Sequence, residues 1–190
     1  MRAVAVLFTF LAVAAAGGVA AGEDPRLGAS RDLAAGMQAA LKGELIAAMA
    51  STGAAGAIAV CRTRAPAIAA RAGSEAGVRV WRTALRVRNP ANAPDAASRA
   101  VMEEFAARLG AGAAPESLEH FAPAADGGAR YLKAIVMQPP CVACHGEAIA
   151  EPVRAALREL YPADAATGFA LGELRGAVVV DWPAQAQETP

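Results

Sequence analysis

The chain has 190 residues, which suits a short leader followed by one domain with a single hydrophobic core. Its 18 Lys and Arg balance its 18 Asp and Glu, so the formal net charge is zero and neither nucleic acid nor an anionic membrane is expected as a partner. The hydrophobic fraction is 55%, but much of it is alanine, so composition does not indicate a membrane protein.

The N-terminal residues have the pattern of a secretory signal peptide. Arg2 precedes an apolar run at residues 4–13, and small residues at 19–21 form a cleavage site. We predict a signal peptide over 1–21, a single domain over 22–182 and a polar tail over 183–190. The expected location is the periplasm, with no membrane insertion after cleavage and no other stretch suited to a span. The alternative is an uncleaved membrane anchor.

The mature chain is predicted to mix helices with strands. Helical spacing of apolar residues predicts five helical segments: 30–50, 57–61, 65–72, 98–109 and 153–160. Residues that favour extended backbone predict three strands: 78–87, 131–137 and 174–182. Prolines and asparagines indicate a loop over 89–95. The fold class is therefore α+β with a small antiparallel sheet flanked by helices.

One stretch, residues 140–146, concentrates the metal-ligating side chains as Cys141, Cys144 and His145. Cys-x-x-Cys-His is the attachment sequence of a c-type haem, in which two thiols form thioethers and the histidine binds iron through a neutral imidazole. Export supports this interpretation, because covalent haem attachment takes place outside the bacterial cytoplasm. Two alternatives are a thioredoxin-type disulfide, which lacks a βαβ context, and a zinc site including Cys61, which lacks a second ligand pair.

The third cysteine, Cys61, remains after both motif cysteines are assigned to thioethers. An odd thiol in an exported protein needs an explanation, and it is either a small buried hydrophobe or an axial ligand of the iron. Met137, Met102 and His120 are the other candidates for the sixth ligand, since methionine is common in electron-carrier cytochromes. The residues alone leave this choice open.

Arginines recur along the predicted strand 78–87 and just beyond it. Alternation places Arg82, Arg86 and Arg88 on one face. Guanidinium groups match carboxylates in geometry, so Arg82 and Arg86 are candidate contacts for the haem propionates. A solvated strand face is the alternative.

Four segments together resemble the Tll0287-like family, formerly a domain of unknown function and a c-type haem variant of the PAS fold. They include the Arg-x-Asn-Pro-x-Asn loop and the Leu-Arg-Gly-Ala-Val strand, and they lie at residues 57–66, 81–94, 141–146 and 161–178. Ala84 and Val179 depart from the family, which favours Ser near these positions. The resemblance implies a PAS-like sheet of about five antiparallel strands, one covalent haem, and axial ligation by His145 and a thiolate from Cys61.

The expected function is that of an exported monohaem c-type cytochrome acting as a redox- or gas-responsive module. Since no output domain follows Trp182, a sensor would need a separate signalling protein as its partner. The alternative is a soluble electron-transfer cytochrome with a redox partner protein. An enzyme is not expected, because no distal His/Arg pair is visible and two axial ligands would leave no open position on the iron.

Overall fold

The computed structural model describes residues 23–184, so the predicted signal peptide and most of the predicted tail lie outside the described part. Within it, helices are interspersed with strands along the chain, together with three single 3₁₀ turns. The elements are α1 (Pro25–Ser74), β1 (Arg79–Thr83), α2 (Ala96–Gly110), β2 (Glu119–Pro123), β3 (Ala129–Val136), α3 (Val142–His145), α4 (Glu151–Leu160) and β4 (Leu174–Trp182). The 3₁₀ turns are Pro90–Asn92, Pro115–Ser117 and Pro139–Cys141.

The long element α1 is a helical hairpin. Gly53 has φ 69° and ψ 173°, a backbone conformation that is essentially restricted to glycine, and the chain reverses there. Residues at similar distances on either side of Gly53 therefore meet. Glu44 lies 3.4 Å from Arg64, and Met37 shares an apolar cluster with Ile68. The predicted helices 30–50 and 57–61 lie on opposite sides of this reversal.

The predicted separate helices at 57–61 and 65–72 are wrong, because the second arm of α1 is continuous through Pro66. Packing along this arm outweighs the backbone hydrogen bond that proline removes. The first arm begins before the predicted boundary at residue 30, and Ser30 lies inside it, where its hydroxyl accepts a hydrogen bond from Trp182 Nε1 at 2.8 Å. Asp24 caps the helix by accepting from the Arg26 backbone N–H at 2.9 Å.

Among the described residues, α1 alone has the length and composition of a membrane span, with a mean hydropathy of 1.6 over 18 residues. The expectation that no stretch beyond the leader qualifies is therefore wrong. The finding is weak grounds for a span, since core helices of soluble proteins and signal sequences pass the same criteria. In this structure α1 is interrupted at Gly53 and packs against the sheet.

The four strands form one antiparallel sheet in the order β1-β4-β3-β2, so the last strand of the chain is central. One face packs against α2, where Phe105 contacts the cluster containing Leu132 and Val179. The other face packs against the α1 hairpin through Tyr131 and Val178. The α+β class is confirmed, while the sheet has four strands in the described residues instead of the five that the resemblance implied.

Two strand predictions need correction. β2 was not predicted, because Ala122 and Pro123 are poor strand formers and only pairing with β3 makes this segment extended. β1 ends at Thr83 instead of residue 87, which places Arg86 and Arg88 in a loop. Thr83 pairs with Ala177, and β4 leaves the regular ladder just beyond, at the bulge between Gly176 and Leu174, so β1 has no regular partner past this point.

The same end of the sheet collects three pieces of chain. β1 ends there with Thr83 opposite Ala177, and β3 ends there with Val136 opposite Leu174, at the beginning of β4. The Cys-x-x-Cys-His motif follows β3 directly. This end of the sheet therefore positions the candidate site.

Gly176→Ala tests the close approach of β1 and β4. We expect the free energy of unfolding to fall by about 1–3 kcal/mol, because a methyl group there overlaps the Thr83 carbonyl. The matched control is Gly43→Ala, which has open space around it in α1 and should stabilise the helix by about 0.5–1 kcal/mol. Urea unfolding measures both changes, and equal stabilities of Gly176→Ala and the wild type would contradict the proposed overlap.

Asp95→Ala tests the cap of α2. Asp95 accepts a hydrogen bond from the Ser98 backbone N–H at 2.7 Å and pairs with Arg130. That backbone hydrogen bond and the pairing with Arg130 lower the pKa of Asp95 to about 2. We expect a loss of about 1 kcal/mol at neutral pH.

The sign of the pH dependence follows from the lowered pKa. The stabilisation by Asp95 is complete above its ordinary pKa of 3.8 and is lost as the pH falls toward 2. The stability difference between wild type and Asp95→Ala should therefore shrink over this range in urea titrations. Glu103→Ala, which removes only an exposed ion pair, is the control and should change stability by less than about 0.5 kcal/mol.

Candidate haem-attachment site

The Cys-x-x-Cys-His motif forms a tight helical turn after β3. The 3₁₀ turn Pro139–Cys141 leads into α3, and Gly146 ends it by donating its N–H to the Val142 carbonyl at 3.0 Å. A Cβ at Gly146 would lie 2.7 Å from this carbonyl oxygen, so the tight turn requires glycine. Cys141 and Cys144 are three positions apart on this helical turn and therefore lie on the same side of it.

His145 is held in one tautomer by the loop between α4 and β4. Its Nδ1 lies 2.7 Å from the Ala166 carbonyl oxygen. A carbonyl only accepts hydrogen bonds, so Nδ1 carries the proton and the Nε2 lone pair is available to a metal. Phe169 packs edge-on against the imidazole, with ring centroids 6.4 Å apart.

The imidazole of His145 is also kept neutral. Burial, and after it the positive charges of Arg175 and Arg88, lower the pKa of His145 to about 3. A metal ligand has to be unprotonated, and this environment meets that requirement throughout the physiological pH range.

Arg88 connects the motif to the loop that holds His145. Its guanidinium donates to the Cys144 carbonyl at 2.5 Å and to Asp164 Oδ2 at 3.0 Å. The two side chains are largely buried, with 15% of Arg88 and 8% of Asp164 exposed. Asp164 also accepts from the Ala166 backbone N–H at 2.8 Å. This chain of contacts positions the carbonyl group that orients His145.

Arg175 reaches the site from a β-bulge. The register pairs Ile135 with Gly176 and Val136 with Leu174, so Arg175 has no partner on β3. A bulge turns a side chain out of the regular alternation. The Arg175 Nε atom lies 3.2 Å from His145 Nδ1 and 3.5 Å from Nε2.

Arg175 is a site residue that the sequence did not predict. An arginine followed by glycine at the beginning of an otherwise apolar strand is the signal that was available for it. Burial, and after it the charges of Arg88 and Arg82, lower the pKa of Arg175 to about 10. The Arg175 guanidinium therefore lies in a partly desolvated and already positive environment.

Arg86, a predicted propionate contact, lies in the exposed loop after β1. Its guanidinium donates to the Thr167 carbonyl at 3.1 Å, lies 3.6 Å from a Glu173 carboxylate oxygen, and stacks over the Phe169 ring at 3.5 Å. It is thus already engaged by three neighbours.

Arg82, the other predicted propionate contact, is half-buried on β1. Burial lowers the pKa of Arg82. Two ionisable neighbours, Cys61 and Tyr161, oppose this change, and neither is a carboxylate. Its guanidinium therefore has no carboxylate to pair with among residues 23–184.

Cys61 lies on the second arm of α1. One helical turn earlier, Ile58 packs in a cluster with Val153 and Cys144 at the end of the sheet. Burial raises the pKa of the Cys61 thiol, which the positive charge of Arg82 opposes. Burial raises the pKa of Cys144, the positive charge of Arg88 lowers it, and the nearby Cys61 thiol raises it further. The structure thus brings the third thiol toward the Cys-x-x-Cys-His motif.

The other candidates for the sixth ligand are placed differently. Met102 is fully buried in the core between α2 and the sheet. His120 lines a groove beside α2, with Ala97 and Val101. Met137 packs with Cys141 and Phe169 and remains near the motif.

The alternatives to haem find little support in this geometry. All three cysteines are free thiols. Within the described range, no three His, Cys, Asp or Glu side chains converge as a metal ion would require. A preformed zinc site is therefore not present in this part of the chain. A haem, by contrast, needs two neighbouring thiols and a neutral imidazole, and these are present.

The fold and the site define an α+β domain that gathers thiols, a neutral imidazole and arginines at one end of an antiparallel sheet. Residues 21–183 match the Tll0287-like family, and the chain belongs to that family, which confirms the resemblance. The structure is similar to the crystal structure of the cyanobacterial haem protein Tll0287, with a TM-score of 0.67 and 26% identity over 88% of this chain and 100% of that chain. No curated protein matches.

Asp164→Asn tests the contact chain behind His145. The substitution keeps the shape but removes the charge that pairs with Arg88, and we expect the free energy of unfolding to fall by about 3 kcal/mol. Glu173→Gln is the matched control, because its pairing with Arg86 is exposed and should contribute less than about 1 kcal/mol. Equal urea midpoints for the two variants would contradict the structural role of the Arg88–Asp164 pair.

Proposed function

We propose that the protein is an exported monohaem c-type cytochrome, with one haem c attached through Cys141 and Cys144 and bound by His145. The observation that carries the proposal is the 2.7 Å contact between His145 Nδ1 and the Ala166 carbonyl. It leaves the Nε2 lone pair of a neutral imidazole beside two free thiols, the donor set of a c-type haem. Similarity to a haem protein supports the same conclusion.

Cys61 is the proposed sixth ligand. The thiol lies on the α1 arm that packs against Cys144, and burial raises its pKa. Metal binding requires the thiolate, so binding of Cys61 to the iron releases a proton. Compared with Met137, a thiolate adds negative charge at the iron, stabilises the ferric state and lowers the reduction potential.

The proposal also includes a PAS-like fold and a periplasmic location. An antiparallel sheet with its last strand central, helices on both faces and the motif at one end supports a PAS-like domain. The proposed covalent haem attachment and the predicted signal peptide at 1–21 together support a periplasmic location for the mature protein. The bound haem would supply a one-electron redox centre, and the chain's own residues would hold and orient it.

A redox- or gas-responsive role is the first proposal for what the haem does. His145 is braced by Ala166 and Phe169, whereas Cys61 lies on a helical arm that follows the reversal at Gly53. One ligand is therefore held by its surroundings, and the other depends on the position of a single arm. This asymmetry favours a module that responds to redox state or to a small gas ligand and signals to a separate protein.

The second proposal is a soluble electron-transfer cytochrome with a redox partner protein. An electron carrier keeps both axial ligands in both oxidation states, which the half-buried setting of His145 and Cys61 also allows. Neither role includes catalysis on a substrate.

Cys141→Ser combined with Cys144→Ser tests attachment. The wild-type protein, produced with a haem-attachment system, should gain the mass of one haem that survives denaturation and acid extraction. The double variant should lose this covalent haem. Intact mass spectrometry measures the difference, and a wild-type protein without covalent haem would refute the proposed function.

Cys61→Ser tests the sixth ligand. The variant should retain covalent haem, while its ferric absorption and electron paramagnetic resonance spectra change because the thiolate is lost. Met137→Leu is the matched control and should leave both spectra unchanged. Unchanged spectra in Cys61→Ser would exclude Cys61 as the ligand.

Redox titration with carbon monoxide separates the two roles. A responsive module should bind carbon monoxide in its reduced form by replacing Cys61, and it should have a low potential. A six-coordinate reduced protein that resists carbon monoxide would support the electron carrier instead.

A further inference from the structure

The four arginines around His145 differ in what they already bind. Arg88 is paired with Asp164, and Arg86 is engaged by Glu173 and the Thr167 carbonyl. These two guanidinium groups therefore have anionic partners within the chain.

Among residues 23–184, the remaining two arginines, Arg82 and Arg175, have no such partner. The polar neighbours of Arg175 are the His145 ring nitrogens and, at 3.4 Å, the Arg86 carbonyl. The ionisable neighbours of Arg82 are Cys61 and Tyr161, and they include no carboxylate. A guanidinium group that is partly removed from water and lacks an anion is costly, so such groups usually indicate a ligand.

The two unpaired arginines come from neighbouring strands at the end of the sheet that carries the motif. Arg82 lies opposite Val178 on β4, and Arg175 precedes Val178 on the same strand, at the bulge. Asp164, which acts on Arg175, pairs with Arg88, and Glu173 pairs with Arg86. The site thus has two unpaired positive charges to offer.

Arg175 also lies beside the imidazole that the proposed function assigns to iron. Its Nε atom is 3.2 Å from His145 Nδ1 and 3.5 Å from Nε2, so it lies off the lone-pair direction of Nε2 and leaves that position open. A carboxylate of a group bound at Nε2 would therefore be close enough for this guanidinium to bind it.

We propose that Arg82 and Arg175 bind the two haem propionates, one guanidinium for each carboxylate, while Arg86 and Arg88 brace the protein around the site. This inference rests on the proposed haem attachment. It keeps the predicted role of Arg82 and transfers that of Arg86 to Arg175.

The test compares resonance Raman spectra of Arg82→Gln, Arg175→Gln and Arg86→Gln in the haem-loaded protein. The propionate bending bands report hydrogen bonding to the carboxylates, so they should shift in the first two variants and stay unchanged in the third. The midpoint potential should also fall in the first two, because loss of a positive charge near the haem favours the ferric state. Arg99→Gln, on the surface of α2, controls for loss of charge far from the site.

The possible outcomes are distinguishable. A wild-type protein without covalent haem refutes the proposed function. Attached haem with propionate bands that do not move in Arg82→Gln and Arg175→Gln, or that move in Arg86→Gln instead, overturns this inference alone. If Arg175→Gln does not fold, Arg175→Lys is decisive: it keeps the charge but not the paired N–H groups, so the bands should still shift, and unchanged bands would overturn the proposal.

Discussion

The hydrogen bond between His145 Nδ1 and the Ala166 carbonyl is the constraint on which the rest of the site depends. It fixes the tautomer of the motif's histidine and directs its Nε2 lone pair away from the loop. The carbonyl keeps its position because Asp164 binds the Ala166 backbone N–H and is itself held by Arg88. Arg88 follows β1, so the end of the sheet determines where His145 lies.

The same end of the sheet explains why two unusual backbone features occur together. Gly176 allows β1 to approach β4 at a distance that excludes any side chain. The bulge at Arg175 immediately precedes it and turns an arginine toward the motif. A regular strand with a larger residue at position 176 would separate β1 from β4 and leave Arg175 in the ordinary alternation. The Leu-Arg-Gly-Ala-Val segment is thus a local structural device as well as a mark of the family.

The sequence allowed prediction of features that depend on local pattern. The Cys-x-x-Cys-His turn and the strand 174–182 follow from residues close together in the chain, and the described structure has both a helical turn and a strand at these positions. Features set by distant contacts were missed. Pairing with β3 makes β2 a strand, and packing on the sheet carries the α1 arm through Pro66. The spacing of apolar residues within β2 or within the α1 arm does not indicate these distant contacts.

The arginines show the same limit in the site itself. Alternation along 78–87 assumed a regular strand, and the early end of β1 removes Arg86 from it. Which guanidinium is free depends on which carboxylate folds beside it, and Asp164 and Glu173 come from a loop that sequence spacing does not place.

The charge arrangement also connects the proposed cofactor with folding. Burial together with the charges of neighbouring arginines lowers the pKa of Arg175, so without an anion this cluster opposes folding. Two propionates would neutralise Arg82 and Arg175 in the folded chain. Because a covalent haem stays attached to the unfolded chain, its stabilising effect would come from contacts that only the native state makes. On this proposal the haem is both the functional centre and the missing counter-ion of the domain, and the positive cluster at the end of the sheet is a structural requirement of haem binding.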